Sequence, residues 1–263
     1  MTQKSTGSFA MKTVFITGAG AGIGQATARL FAKNNWFVGL YDRDEAAVHT
    51  LAQELGTDRA MAGRLDVSSV EDWQNSLAEF FEHTGRLDVL VNNAGILYSG
   101  KFENIPLENH RRQIDINVQG VINGCHTAFQ YLHKTPNSRV INLSSASAIF
   151  GQPDLVTYAA TKFAIRGLTE GLNIEWKAHG ITVLDIMPMF VSTAMVTNMD
   201  ANSFRKMGAK LTPLDVAKTV YTAATKRNMP IHNPVGISTK VFMAVASVMP
   251  DRLNVLINST LSK

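Results

Sequence analysis

Residues 13–24 read Thr13-Val14-Phe15-Ile16-Thr17-Gly18-Ala19-Gly20-Ala21-Gly22-Ile23-Gly24. The first five are apolar or β-branched and predict a strand. The glycines that follow let the backbone turn and come close to a bound group. Apolar periodicity predicts a helix over Gly22–Asn34, whose N-terminus offers free N–H groups and partial positive charge. Strand, glycine loop and helix in this order suit a dinucleotide pyrophosphate. An ordinary glycine-rich turn has the same composition, but its place at the end of the first strand favours the binding reading.

Working outward, short apolar runs alternate with amphipathic stretches. Strands are expected at Thr13–Thr17, Phe37–Tyr41, Ala60–Asp66, Val89–Asn92, Arg139–Leu143 and Thr182–Ile186. Helices are expected between them, at Asp44–Leu55, Val70–His83 and Tyr158–His179 among others. Near-continuous apolar strands suit a parallel sheet buried on both faces. The alternation predicts an α/β fold with a doubly wound, Rossmann-type, mostly parallel sheet. Right-handed crossovers then gather the loops after the strands along one edge, where ligands bind. No Pro/Ser-rich linker divides the chain, so residues 12–263 are read as one domain. Residues 1–11 are read as a disordered leader or an appended tail.

Composition narrows the class. The 263 residues are 45% hydrophobic and 17% charged, which excludes disordered and collagen-like chains. A single cysteine, Cys125, excludes an internal disulfide framework and fits a reducing, cytoplasmic setting. The net charge is +4, but the basic residues are scattered, so no nucleic-acid partner is expected. The longest apolar stretch near the end, Val241–Met249, is about half of a membrane span. Met1–Ala10 has no apolar signal core. The seven histidines show no metal-ligand spacing; His126 and His133 can share a helix face but lack a third ligand.

Asp42 ends the second strand about twenty residues beyond the glycine loop. A carboxylate there accepts from an adenosine ribose hydroxyl and repels a 2′-phosphate, which favours NAD. Arg43 keeps NADP open, because a guanidinium neutralises a phosphate. Asp42 as a cap for the next helix is compatible with both. Asp66-Val67 and Asn92-Asn93-Ala94-Gly95 close the third and fourth strands, where Asx and Gly are commonly turn formers.

Ser145 follows the fifth strand, and Tyr158 and Lys162 are spaced i, i+4 on a predicted helix. An ammonium near a phenol favours the phenolate and is expected to lower the tyrosine pKa toward neutrality. Such a tyrosine exchanges a proton with a carbinol oxygen, which Ser145 is placed to hold. A Tyr-x-x-x-Lys pair alone arises easily by chance; it gains weight beside the other motifs.

Together these motifs resemble the short-chain dehydrogenase/reductase family. The matching residues are Thr17-Gly18-x-x-x-Gly22-x-Gly24, Asp66, Asn92-Asn93-Ala94-Gly95, Asn117, Ser145, Tyr158-x-x-x-Lys162, and Pro188 with Thr193. They run in the family's order over about two thirds of the chain. The resemblance implies Tyr158 as catalytic acid/base, with Lys162 tuning it and gripping the nicotinamide ribose. It implies Ser145 as the substrate-oxygen anchor and Asn117 as the holder of a relay water. It implies cofactor contacts at Gly18, Gly20, Ala21, Gly22, Ile23, Gly24, Asp42, Arg43, Asp66, Val67, Asn93, Ala94 and Gly95. Further contacts are implied at Tyr158, Lys162, Pro188, Val191 and Thr193, the last three at the carboxamide. It also implies a homodimer or homotetramer built on the helices around Asn117–Leu132 and Tyr158–His179.

Two departures stand out. Pro188 is followed by Met189 where the family usually has glycine, and methionine is expected to alter the carboxamide contact. The tail lacks the acidic-Gly-Gly signature that many members carry after their last strand, which leaves that strand and its subunit contact unassigned.

Residues 187–211 are read as the substrate loop, with Met187, Met189, Phe190, Met195, Met199, Phe204 and Met207. Methionine makes adaptable apolar surface, which suits a lipophilic alcohol or ketone, though core filling or a mobile lid explains it as well. The apolar tail, residues 235–263, reads as two short helices broken at Pro250. They cover the cleft or another subunit in preference to a membrane, because few basic residues are present to meet anionic lipid. The function read from the chain is an NAD-dependent oxidoreductase interconverting a secondary alcohol and a ketone or aldehyde. The alternatives are an NADPH-dependent 3-oxoacyl or carbonyl reductase and a non-catalytic nicotinamide-binding regulator.

Overall fold

A computed structural model of the chain describes residues 11–197, 199, 201, 202, 204, 208–246 and 259. Seven parallel strands form one sheet: β1 (Thr13–Thr17), β2 (Phe37–Asp42), β3 (Ala60–Arg64), β4 (Val89–Asn92), β5 (Arg139–Leu143), β6 (Thr182–Met187) and β7 (His232–Pro234). Their order is β3-β2-β1-β4-β5-β6-β7, so the sheet reverses direction of growth between β1 and β4. The loops after those two strands diverge there and leave a crevice at the carboxyl edge.

The helices are α1 (Gly22–Lys33), α2 (Glu45–Leu55), α3 (Val70–Thr84), α4 (Leu107–Ile114), α5 (Gly120–Leu132), α6 (Val156–Trp176), α7 (Ala194–Thr197), α8 (Pro213–Thr225) and α9 (Ile237–Ala246). One layer against the sheet carries Phe31 of α1, Leu51 of α2 and Val220 of α8. The other carries Trp73 and Phe80 of α3, Cys125 of α5 and Ile165 of α6. Every residue of β1 is buried, as an apolar strand covered on both faces must be.

Several boundaries differ from the expected ones for local reasons. β3 stops at Arg64, short of Asp66, because Asp66 turns the chain. Its Oδ1 accepts from Ser68 N at 3.0 Å and Ser68 Oγ at 2.7 Å. α2 starts at Glu45 because Asp44 caps it, accepting from Ala47 N at 3.1 Å. β6 extends one residue, to Met187, through pairing with β7. α6 begins at Val156, which places Tyr158 in its first turn. Met11, assigned above to the leader, packs against the core.

The final strand, left unassigned by sequence, is present. β7 has only three residues and no apolar alternation; it pairs with β6 through the backbone, and side chains reinforce it. His232 Nδ1 lies 2.9 Å from Asp185 Oδ2 of β6, and its Nε2 lies 2.8 Å from Glu170 Oε1 of α6. The first expected tail helix is α9; the second lies outside the described residues.

Candidate active site

The glycine loop closes on β4. Thr17 Oγ1 accepts from the N–H groups of Asn93, at 3.0 Å, and Ala94, at 3.1 Å. Asn93 Nδ2 donates back to the carbonyls of Thr17, at 2.9 Å, and Gly18, at 3.0 Å. Gly18 and Gly22 adopt φ of +65° and +54°, a region that favours glycine. At Gly24 a Cβ would lie 2.1 Å from the Gly18 carbonyl oxygen, so the helix start admits no side chain there.

Asp42 has a structural task that sequence left open. Its Oδ2 accepts from Gly20 N at 2.9 Å and its Oδ1 from Asp44 N at 3.0 Å. The carboxylate therefore staples the glycine loop to β2. Each oxygen still has a lone pair for a ligand hydroxyl. Val67 is fixed by Trp73 Nε1, which donates to its carbonyl at 3.0 Å. The hydrogen bonds from Ser68 hold the Asp66 carboxyl below its usual range, with smaller help from Arg43 and Arg64.

The chemical end is built on β5 and α6. Lys162 Nζ donates to the Leu143 carbonyl at 2.7 Å and lies 5.5 Å from the centroid of the Tyr158 ring. Burial pushes the Lys162 ammonium down to about 8. Tyr158 departs from expectation in the protein alone. Burial pushes its phenol up to about 12, and its hydrogen bond with Ser145 opposes this only in part. The ammonium lies over the ring, and desolvation of the phenolate outweighs its field.

Ser145 Oγ accepts from Ser147 N at 3.1 Å. Beside its hydrogen bond with Tyr158, it also reaches Ser147 Oγ at 3.3 Å and the Pro188 carbonyl at 3.4 Å. Ser147 Oγ in turn donates to Gln152 Oε1 at 2.8 Å.

Asn117 lies in a π turn, Asp115–Gln119, between α4 and α5. Its Oδ1 accepts from Ile96 N and its Nδ2 donates to the Ile96 carbonyl, both at 2.8 Å. Nδ2 also reaches Thr161 Oγ1, next to Lys162, at 3.3 Å. The side chain is thus a clamp between the β4 loop and α6.

A model of the short chain dehydrogenase family matches residues 12–203. The chain belongs to the short chain dehydrogenase family. Oxidoreductase UcpA of Salmonella typhimurium is 36% identical over 195 residues, 73% of this chain and 74% of that protein. Meso-2,3-butanediol dehydrogenase of Serratia marcescens is 34% identical over 187 residues, 71% and 74% of the two chains. A 3-ketoacyl-(acyl-carrier-protein) reductase from Brucella melitensis, solved with NADH, superposes with a TM-score of 0.79. It is 29% identical, and the match covers 86% of this chain and 96% of that one. This short chain dehydrogenase is an NAD(P)-dependent oxidoreductase acting on CH–OH groups.

In this family member the two ends meet in one cavity of about 500 Å³. Gly18, Ala21, Gly22, Ile23, Asp42, Arg43, Asp66, Val67, Asn93, Ala94 and Gly95 line one end. Ser145, Tyr158, Lys162, Pro188, Val191 and Thr193 line the middle. Three residues named from sequence lie behind the wall: Gly20 on Asp42, Gly24 beneath Gly18, and Asn117 against Ile96. Met189 lines the cavity and is not among the residues with positive φ, so no glycine-only backbone is needed there. Phe190, Met195 and Met199 of the expected substrate loop also line it; Met207 lies outside the described residues.

The far end is apolar, with Leu97, Phe150, Leu155, Val196 and Phe242. Leu97, Phe150, Leu155 and Phe242 carry no local signal. Phe242 arrives on α9 and meets Phe150 edge to face at 4.9 Å, a contact only the folded chain reveals. Cys125, in contrast, is a buried core residue whose thiol burial pushes up to about 12, so it is inert.

Proposed function

We propose that this enzyme uses NAD to interconvert a lipophilic secondary alcohol and its ketone, with Tyr158 as acid/base. The observation that carries the reading is the convergence of Ser145, Tyr158 and Lys162 at the waist of a cavity. That cavity runs from the glycine loop to an apolar pocket. The cradle fits a dinucleotide: Gly18 and Gly22 leave its floor open, and the N-terminus of α1 faces it. NAD, when bound, supplies the two-electron chemistry that the side chains lack.

The side chains handle the proton. As the phenolate, Tyr158 Oη takes it from the carbinol oxygen in oxidation, and as the neutral phenol it returns it in reduction. Ser145, hydrogen-bonded to Tyr158, is placed beside that oxygen to hold it. Lys162, anchored on Leu143, sets the charge beside the phenol. Asn117 keeps the β4 loop and α6 in register.

Asp42 carries the choice of NAD, through its remaining lone pairs and its charge. Arg43 lines the same end and supports a second reading, NADPH-dependent reduction of ketones or 3-oxoacyl thioesters. Paired titrations with NADH and NADPH, followed through Trp fluorescence, separate the two. Tighter NADH binding supports the first, and tighter NADPH binding selects the second. A panel of long and short secondary alcohols tests the lipophilic substrate, which equal efficiency across chain length would reject.

The assembly proposed is a cytoplasmic homodimer or homotetramer. Exposed apolar residues Ile114 on α4, Ile122 on α5, and Phe163 and Ile174 on α6 support it.

A further inference from the structure

Asp154 stands just before α6 with a φ of +63°, a left-handed conformation that aspartate tolerates better than most residues. It is buried, at 7% exposure, so its charge needs partners. They come from two loops distant in sequence. Lys101 Nζ donates to Oδ1 at 2.8 Å, and Asn202 N donates to Oδ2 at 3.3 Å. The Asp154 carbonyl accepts from Gly100 N at 2.9 Å. None of these contacts caps α6: its N-cap is Leu155, which makes no side-chain cap bond. Leu155 packs with Val196, Met199 and Ala201, and Val196 and Met199 line the apolar end of the cavity.

From this we infer that Asp154 is a positioning residue. Its carboxylate bridges Lys101 and Asn202 and holds the wall formed by Val196 and Met199 over the substrate end of the cavity. One oxygen meets each of the two loops. The inference rests on the reading of the apolar end as the substrate site, but its first test does not.

Hydrogen exchange on the full chain, wild type against Asp154→Ala, reads the wall directly. Exchange over residues 194–202 is expected to accelerate at least about tenfold, with β1 and α1 unchanged. Asp154→Asn keeps the left-handed tolerance and one acceptor but loses the ion pair, and falls between. Unchanged exchange over 194–202, or acceleration spread equally through β1 and α1, overturns the inference. Should Asp154→Ala fail to fold, Asp154→Asn and Lys101→Met carry the same comparison.

The second readout is kinetic. Substrate KM is expected to rise about tenfold in Asp154→Ala while NADH affinity stays within about twofold. A parallel loss of NADH affinity marks general damage and counts against the wall. A wild-type protein that turns over no alcohol or ketone refutes the functional reading instead, and leaves the exchange result standing.

Discussion

Tyr158 and Lys162 share a helix face, and burial acts on both. In the protein alone it favours the neutral phenol and opposes the ammonium. Tyr158→Phe removes the proton carrier and leaves the cavity walls in place. Turnover should fall by about 10²–10⁴-fold while NADH titration is unchanged; retained turnover rejects the acid/base role. Lys162 also couples stability to pH. Its folded pKa of about 8 lies below the ordinary 10.5, so the unfolded chain binds more protons between those values. Wild type should therefore gain stability relative to Lys162→Met as pH rises from 8 to 10.5. Denaturant melts across that window check the sign. The i, i+4 spacing was legible in sequence, but the direction of the tyrosine shift was not. It depends on how much chain covers the hydroxyl, and that cover comes from several distant segments.

Among the elements, β7 shows most clearly what local pattern omits. His-Asn-Pro has neither β-branched residues nor alternation, so no propensity marks it. It pairs with β6 through the backbone, and His232 adds contacts to Asp185 on β6 and Glu170 on α6. The bond to Asp185 raises the histidine pKa above 6.5. Its stabilising contribution is then complete below pH 6.5 and is lost as pH rises through the raised value. His232→Ala should cost about 1–3 kcal/mol on the acid side, with the difference shrinking toward alkaline pH. Thermal melts at several pH values test this, and a pH-independent difference rejects it. The strands that were legible, β1, β4 and β5 above all, are continuous apolar runs ended by turn formers. The misplaced end of β3 reflects Asp66, whose bonds to Ser68 turn the chain where alternation alone would continue it.

At the scale of the molecule, the sheet brings Gly18, Asn93, Ser145 and Pro188 to one edge from four separate loops. The outward apolar residues of α4, α5 and α6 remain uncovered. Ile174 is 74% exposed, and the subunit interface proposed above would cover it. Ile174→Asp should shift the assembly toward smaller species, which light scattering on wild type and variant measures. Identical masses for the two reject this face as the interface.

Sequence alone determined the layered α/β class, the glycine loop and the shared helix face of Tyr158 and Lys162. Those depend on neighbours within one strand–loop–helix unit or one helical turn, where spacing sets geometry. Only the tertiary structure decided that Asp42 staples the loop, that Asn117 clamps rather than lines, and that Phe150 meets Phe242 across the far wall. Those contacts join segments that only the packed sheet and its helices bring together, and a side chain's partner across such a gap leaves no periodicity in the chain.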